Sequence, residues 1–306
     1  MITRTLMRVK VLQVLYAYYE DRERTLESAV NELSFSMDKS YDLFISLLQL
    51  GVELTNFHRK CIESASRKYF PTEEEKNPNM KWVNNRLIKM LSESMFLSKE
   101  VEKRKISFTD DKILLELLNK EVLESEIYKS YLTQQWNDFK SDQDFVVRIY
   151  SNVLLSSDTL LDALEEKSIY WNDDLGIVGS FLIKTLKKVR EEDEKINFPP
   201  KFSDEEGEKF AKELFLKTFS NKENYENIIS DASQNWEVDR LAFMDKLILQ
   251  MALAEIMNFP TIPLPVTMNE YIEIAKSYST AKSGMFVNGM LDKIVSNLKD
   301  KELIVK

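Results

Sequence analysis

The sequence predicts an all-α protein, and three observations carry that expectation. Glycine (6) and proline (7) fill only 13 of 306 positions, about 4% where an ordinary chain carries about 12%, too little turn chemistry for a β-rich fold. The prolines are confined to 71, 78, 199, 200, 260, 263 and 265, so the strong helix breakers fall in three short zones. Between those zones apolar residues recur at helical spacing. The length leaves room for about two domains with a sizeable core.

Taken in order, residues 5–20 read as an amphipathic helix, with Leu12, Leu15, Tyr16 and Tyr19 at the i, i+3, i+4, i+7 positions and Arg4 and Arg8 one turn apart. Residues 41–69 form a second helical pattern, ended by the two prolines and charge run of 71–79. From 81 to 190 the periodicity stays helical, with breaks expected near Ser107 to Asp111 and Ser141 to Asp144. A connector over 191–202 leads to Ser203, which is spaced to cap a helix with Glu206 in its first turn. The segments Phe145 to Trp171 and Phe210 to Trp236 share an apolar pattern at an offset of 65, which pairs Ile149 with Leu214, Leu164 with Ile229 and Leu182 with Leu247. Two similar helical hairpins would produce it, and so would chance agreement between amphipathic helices. An apolar helix over 239–258 stops at NFPTIPLP; Thr267 with Glu270 is spaced as a capping box for the next helix, and Ser283 as the cap of the last.

The chemistry-bearing residue types exclude more than they suggest. One cysteine, Cys61, and one histidine, His58, leave no disulfide framework and no Cys/His metal site; both are expected to be structural. No glycine spacing makes a phosphate loop, and no nucleophile elbow accompanies His58. Neither an enzyme nor a cofactor is expected. The longest apolar runs are too short for a membrane span, so a soluble, cytoplasmic protein is expected.

Two segments stand out. Residues 1–10 contain Arg4, Arg8 and Lys10 and no acid, although the whole chain carries a net charge of −9. A local anion such as nucleic-acid phosphate fits that asymmetry, and a few idle basic residues near a terminus would also produce it. In KSGMFVNG (282–289), a helix start capped by Ser283 would aim backbone N–H groups at an anion beside Lys282. Phe286 could point inward as core or lie at the rim, where an unstacked base can rest on its ring. Gly289 inside a helix suggests close helix packing or close approach of a ligand.

The C-terminal run WEVDRLAFMDKLILQMALAEI, then NE-x-x-E-x-AK (Asn269 to Lys276), then FVNG-x-LDK (Phe286 to Lys293), with Gln13, Leu15 and Tyr16 in the first helix, resembles the NusB family of bacterial transcription antitermination factors. The resemblance covers roughly residues 2–20 and 206–298. It implies an all-helical fold of two small bundles enlarged by a helical insertion: N-terminal helices over 1–50, an additional helical insertion over 51–202, and a C-terminal NusB-like region over 203–306. It implies a non-catalytic adaptor that binds single-stranded boxA RNA of nascent ribosomal transcripts, with the small-subunit ribosomal protein that serves as NusE, in the RNA polymerase antitermination complex. By position the RNA contacts would fall on Arg4, Arg8, Lys10, Lys282, Ser283 and Phe286, joined into one cationic grip, and the NusE-facing surface would include Tyr16 and Asp245. Thr5, Leu6 and Met285 stand where the family pattern is basic. The alternative is a NusB-scaffold interaction module that has lost RNA binding.

Overall fold

The computed structural model describes residues 1–21, 23–135, 137–203, 206–233 and 242–304. Among these, fifteen α-helices and two short 3-10 turns account for the regular structure, and the one β feature is an isolated parallel bridge between Ile2 and Phe202. The helices are α1 (Arg4–Glu20), α2 (Leu26–Ser66), α3 (Glu73–Lys76), α4 (Arg86–Ser92), α5 (Met95–Arg104), α6 (Lys112–Glu124), α7 (Glu126–Thr133), α8 (Phe139–Asn152), α9 (Asp158–Lys167), α10 (Leu175–Lys188), α11 (Gly207–Ser220), α12 (Lys222–Ala232), α13 (Phe243–Asn258), α14 (Leu264–Tyr278) and α15 (Ser283–Asp300).

The chain folds into two compact units. A terminal unit takes residues 2–37 and 202–306, and an inserted unit takes residues 38–201 together with Met1. The division passes through α2, so residues 38–50, grouped by sequence with the N-terminal helices, pack within the inserted unit. Asp38 and Lys201, the outermost residues of the inserted stretch, form an ion pair at 2.7 Å, which brings its entry and exit together.

In the terminal unit, α13 is the central helix. Every residue from Leu247 to Ile256 is buried, because α1, α11, α12, α14 and α15 all pack on it. A helix that is apolar on all sides is stable only when surrounded in this way. In the inserted unit, α8 packs on α4, α7 and α10 over a core including Phe145, Ile149, Tyr150, Leu182 and Leu186. Polar groups there are tied to backbone: Tyr150 Oη donates to the Leu47 carbonyl at 2.5 Å, and Gln143 Nε2 donates to the Leu186 and Val189 carbonyls at 2.8 Å.

The 65-residue offset corresponds to a recurring order of helices. With that shift α9 falls on α12 and α10 on α13, and the paired positions Phe145/Phe210, Ile149/Leu214, Leu164/Ile229 and Leu182/Leu247 are all buried. Trp236, the far end of the second segment, and residues 239–241, the expected start of α13, lie outside the described residues.

Several expected boundaries are corrected. Ser141 to Asp144 do not break the chain: they lie in the first two turns of α8, where Asp138 and Ser141 make a reciprocal capping box and Asp142 in the first turn favours the positive helix end. Ser203 does not cap α11, whose first residue is Gly207; the Ser203 N–H instead donates to the Ile2 carbonyl at 3.1 Å. Thr267 does not cap α14, which starts three residues earlier because Pro263 and Pro265 suit a first turn that has no use for their missing N–H groups. Ser283 is the first residue of α15 rather than its cap; Lys282 holds the cap position without a side-chain hydrogen bond.

Candidate nucleic-acid interface

The basic start of α1 is mostly core. Leu6 to Leu12 are all buried, since α1 packs against α11 on one side and α13 on another. Arg8 is 2% exposed and is not a surface phosphate contact. Its Nε and Nη2 donate to the two carboxylate oxygens of fully buried Glu255 at 2.7 and 2.8 Å, and Nη1 lies 3.2 Å from Glu270. Thr267 and Tyr271 complete the shell, their hydroxyls donating to Glu255 at 2.8 and 3.2 Å. Burial works against the Arg8 charge, but the hydrogen bonds and charge of Glu255 outweigh it and raise the guanidinium pKa above its ordinary value. Burial also pushes the Tyr271 phenol well above its ordinary range, with the Glu255 charge adding to it. Lys10, at 1% exposure, is likewise interior. Arg4 alone of the three reaches solvent, half-buried with its guanidinium 5.1 Å from the centre of the Phe210 ring.

The turn into α15 is a different environment. Lys282 and Met285 are exposed, and Phe286 is half-buried, so its ring is neither sealed in the core nor fully out. Ser283 is 1% exposed; its hydroxyl donates to Asp245 Oδ2 at 2.9 Å and accepts from the Thr280 N–H at 3.1 Å. The helix start has no side-chain cap; the buried Asp245 carboxylate approaches it through Ser283, and Lys282 is exposed beside it, a cation next to a positive helix end of the kind that attracts an anion. Gly289 is exposed and a Cβ there would meet nothing within 4 Å, which removes helix packing as its reason and leaves room for a ligand on that face.

The two basic segments are not brought together. Arg8 meets α13 at Glu255 near its C-terminal end, whereas Ser283 meets it at Asp245 in its first turn. Ten residues separate these anchors, about 15 Å along the helix. The single cationic grip expected from the sequence is therefore two separate points, Arg4 at one end of α13 and the Lys282–Phe286 turn at the other.

What shares the end with that turn is aromatic. Tyr16 and Tyr19 pack on Phe243 with ring centres 5.6 and 6.1 Å apart, and Lys222 Nζ sits 4.4 Å from the centre of the Tyr19 ring. Tyr16 is 38% exposed and remains available to a partner. Asp245 is buried on Ser283, so it positions the turn rather than presenting a carboxylate to a partner. The exposed Phe243 was missed by sequence reasoning, because an aromatic among apolar helix residues carries no mark of exposure. Among the described residues no cluster of three His, Cys, Asp or Glu side chains could hold a metal ion, and no helix is long and apolar enough to cross a membrane.

A model of the NusB family matches residues 180–296. The transcription antitermination protein NusB of Geobacter sp. (strain M21) is 38% identical over 118 residues, which are 39% of this chain and 81% of that protein. The chain belongs to the NusB family. NusB proteins of Salinibacter ruber and Geotalea daltonii are both 44% identical, over 92 and 93 residues, each 30% of this chain. Against these two relatives the chain spans 58% and 64% of their length. No solved structure matches.

Proposed function

We propose that this NusB-family chain is an RNA-binding, non-catalytic transcription antitermination factor that takes boxA-type single-stranded RNA together with the ribosomal protein acting as NusE. The observation that carries the reading is the uncapped start of α15, where Lys282 is exposed, the Phe286 ring is half-exposed and Gly289 leaves the neighbouring helix face open. An anion at the helix end and a base against the ring are what a single strand supplies. Arg4 adds a second, separate phosphate contact. The exposed edges of Tyr16 and Phe243 are the surface offered to the protein partner, at the same end of α13 as the turn.

The burial of Arg8 and Lys10 favours a second reading, an interaction module that has lost RNA affinity, and one titration decides between them. Labelled boxA RNA is bound by the wild type, Lys282→Gln, Phe286→Ala and Arg4→Gln across a range of salt, with and without the ribosomal partner. Each lost cation is expected to shallow the log–log salt slope by about 0.7, and Phe286→Ala to cost about 1–3 kcal/mol of stacking at unchanged slope. Arg8→Ala instead leaves Glu255 buried without its cation and is expected to cost about 3–5 kcal/mol of fold stability. Equal, salt-insensitive weak binding by the wild type and the three surface variants would establish the interaction module.

A further inference from the structure

α10 is the helix of the inserted unit that takes the place of α13, and the two differ in what covers them. At the 65-residue offset, Lys184, Lys187 and Lys188 correspond to Leu249, Ala252 and Leu253 of α13, all fully buried in a helix that α14 and α15 pack against. No such pair follows α10, which packs on α8 and the 3-10 turn 154–156. The three lysines are exposed. Uncovering an apolar face requires polar replacements, and an acidic chain would ordinarily mix both signs. Elsewhere in this chain it does: Lys120 faces Glu124, Lys129 faces Glu126, Lys212 faces Glu208 and Lys276 faces Glu273. α10 has no carboxylate anywhere along its length, and none of its three exposed lysines forms an ion pair among the described residues. Of the acidic run that follows, Asp193 accepts from the Arg190 N–H at 2.8 Å and Glu191 lies 3.7 Å from Arg86, while Glu191 and Glu192 share a separate cleft with Lys187 and Lys188.

Clefts flank this basic edge on both sides. One, of about 660 Å³, has an apolar floor that includes Leu155 and Leu175, hydroxyls from Ser151 and Ser180, and Lys184 and Lys187 at its mouth; no carboxylate lines it. Its closeness to the backbone depends on Gly179, where a Cβ would lie 2.8 Å from Leu155. The other, of about 460 Å³, puts Lys184 and Lys188 beside the half-buried rings of Phe181 and Phe198, the latter stacked on Phe96 at 5.0 Å, with Asp193 the one carboxylate in its lining. Cations spaced over one helical turn, about 6 Å, with apolar and aromatic surfaces beside them are the features that hold a single strand of nucleic acid: phosphates on the lysines, bases on the rings and in the cleft. An acidic protein would use the lysines but would leave the ring-lined cleft without a purpose.

We propose that the inserted unit carries its own single-stranded RNA contact along the exposed face of α10, centred on Lys184, Lys187 and Lys188. This rests on the RNA-binding reading above and adds a site to it. The test uses the full chain and a labelled RNA in which boxA is flanked on both sides by unstructured sequence. The Lys184/Lys187/Lys188→Gln variant is expected to keep its unfolding midpoint, since Lys and Gln have similar helix propensity, and to shallow the salt slope by about 2, with roughly tenfold or greater loss of affinity at low salt. Gly176→Glu offers a second variant: it places a carboxylate in the carboxylate-free cleft at an exposed first-turn position where a Cβ meets nothing within 4 Å, so it should weaken RNA binding without loss of stability. If Lys282→Gln weakens binding while both α10 variants bind as the wild type does, the inference is overturned, the RNA-binding reading stands and the face falls to an acidic protein. If the wild type itself fails to bind, both fall.

Discussion

His58 shows how a single residue couples this fold to pH. It is buried in the inserted unit, its ring stacked on Trp82 with centres 4.3 Å apart and edge-on to Tyr128 at 6.1 Å, and neither nitrogen has a partner of good hydrogen-bond geometry. Burial lowers its pKa below the ordinary 6.5, and the neighbouring Asn119 amide only partly offsets that. The unfolded chain therefore takes up the proton first. The contribution of neutral His58 is intact above about pH 6.5 and declines as the pH falls from there toward the folded-state pKa, by at most about 1.4 kcal/mol per pH unit. Urea unfolding from about pH 7.5 down to about pH 5.5 should show the wild type losing more stability than His58→Leu. Parallel declines would remove this account. Cys61, the other residue read as structural, is exposed on the same helix, with burial and Glu116 raising its thiol pKa.

At the scale of elements, α2 shows why a helix can need a residue that weakens it. It runs for 41 residues with Gly51 in its interior, a choice that costs about 1 kcal/mol against alanine. The fully buried Tyr150 explains it: its hydroxyl reaches the α2 backbone at the Leu47 carbonyl, and a Cβ on Gly51 would lie 2.5 Å from that oxygen. Gly51→Ala should therefore destabilise the protein by about 1–3 kcal/mol despite its better helix propensity, because the buried hydroxyl is displaced from its acceptor. Thermal unfolding of Gly51→Ala and of the double variant with Tyr150→Phe measures this. Restored stability in the double variant is expected, and a stabilised Gly51→Ala single variant would contradict the packing argument. Gly207 follows the same logic at the start of α11, where a Cβ would lie 2.5 Å from Met7.

For the whole molecule, the decisive arrangement is a discontinuous terminal unit interrupted by a contiguous inserted one. Residues 2–37 and 202–306 make 141 residues, close to the length of about 146 that the Geobacter relative must have if 118 residues are 81% of it. The terminal unit is thus about as large as that whole relative, although the family match starts at residue 180, within the inserted unit. Ser34 donates to Glu208 at 3.2 Å inside that unit, so the two cut ends lie near each other. A chain with residues 38–201 replaced by a short Gly/Ser linker is expected to fold cooperatively with high helix content, to retain the Lys282-dependent part of RNA binding and to lose the α10-dependent part. A molten, non-cooperative product would show that the terminal unit depends on the inserted one.

Much of this was legible from the residues alone, and the reason is local. Helix period and proline placement depend on neighbours in sequence, so the all-helical class, the extent of α1 and the recurrence of one helix pattern after 65 residues could be read directly. The motifs of the last two helices, together with the Gln-x-Leu-Tyr of the first, identified the family for the same reason. Helix starts were read less well, because a serine or threonine at capping distance competes with distant partners: Ser283 is taken by Asp245 and Thr267 by Glu255. Charge was misread most. A basic residue counts as surface by default, yet Arg8 is interior because Glu255, 247 positions away, supplies a buried carboxylate, and no local pattern announces that pairing. Sequence by itself determined that this chain is a set of helices with the FVNG motif in the last of them. Tertiary packing decided which cations stay in water, and it placed Arg4 and Lys282 at opposite ends of α13, because burial and through-space charge pairing are set by residues far apart along the chain.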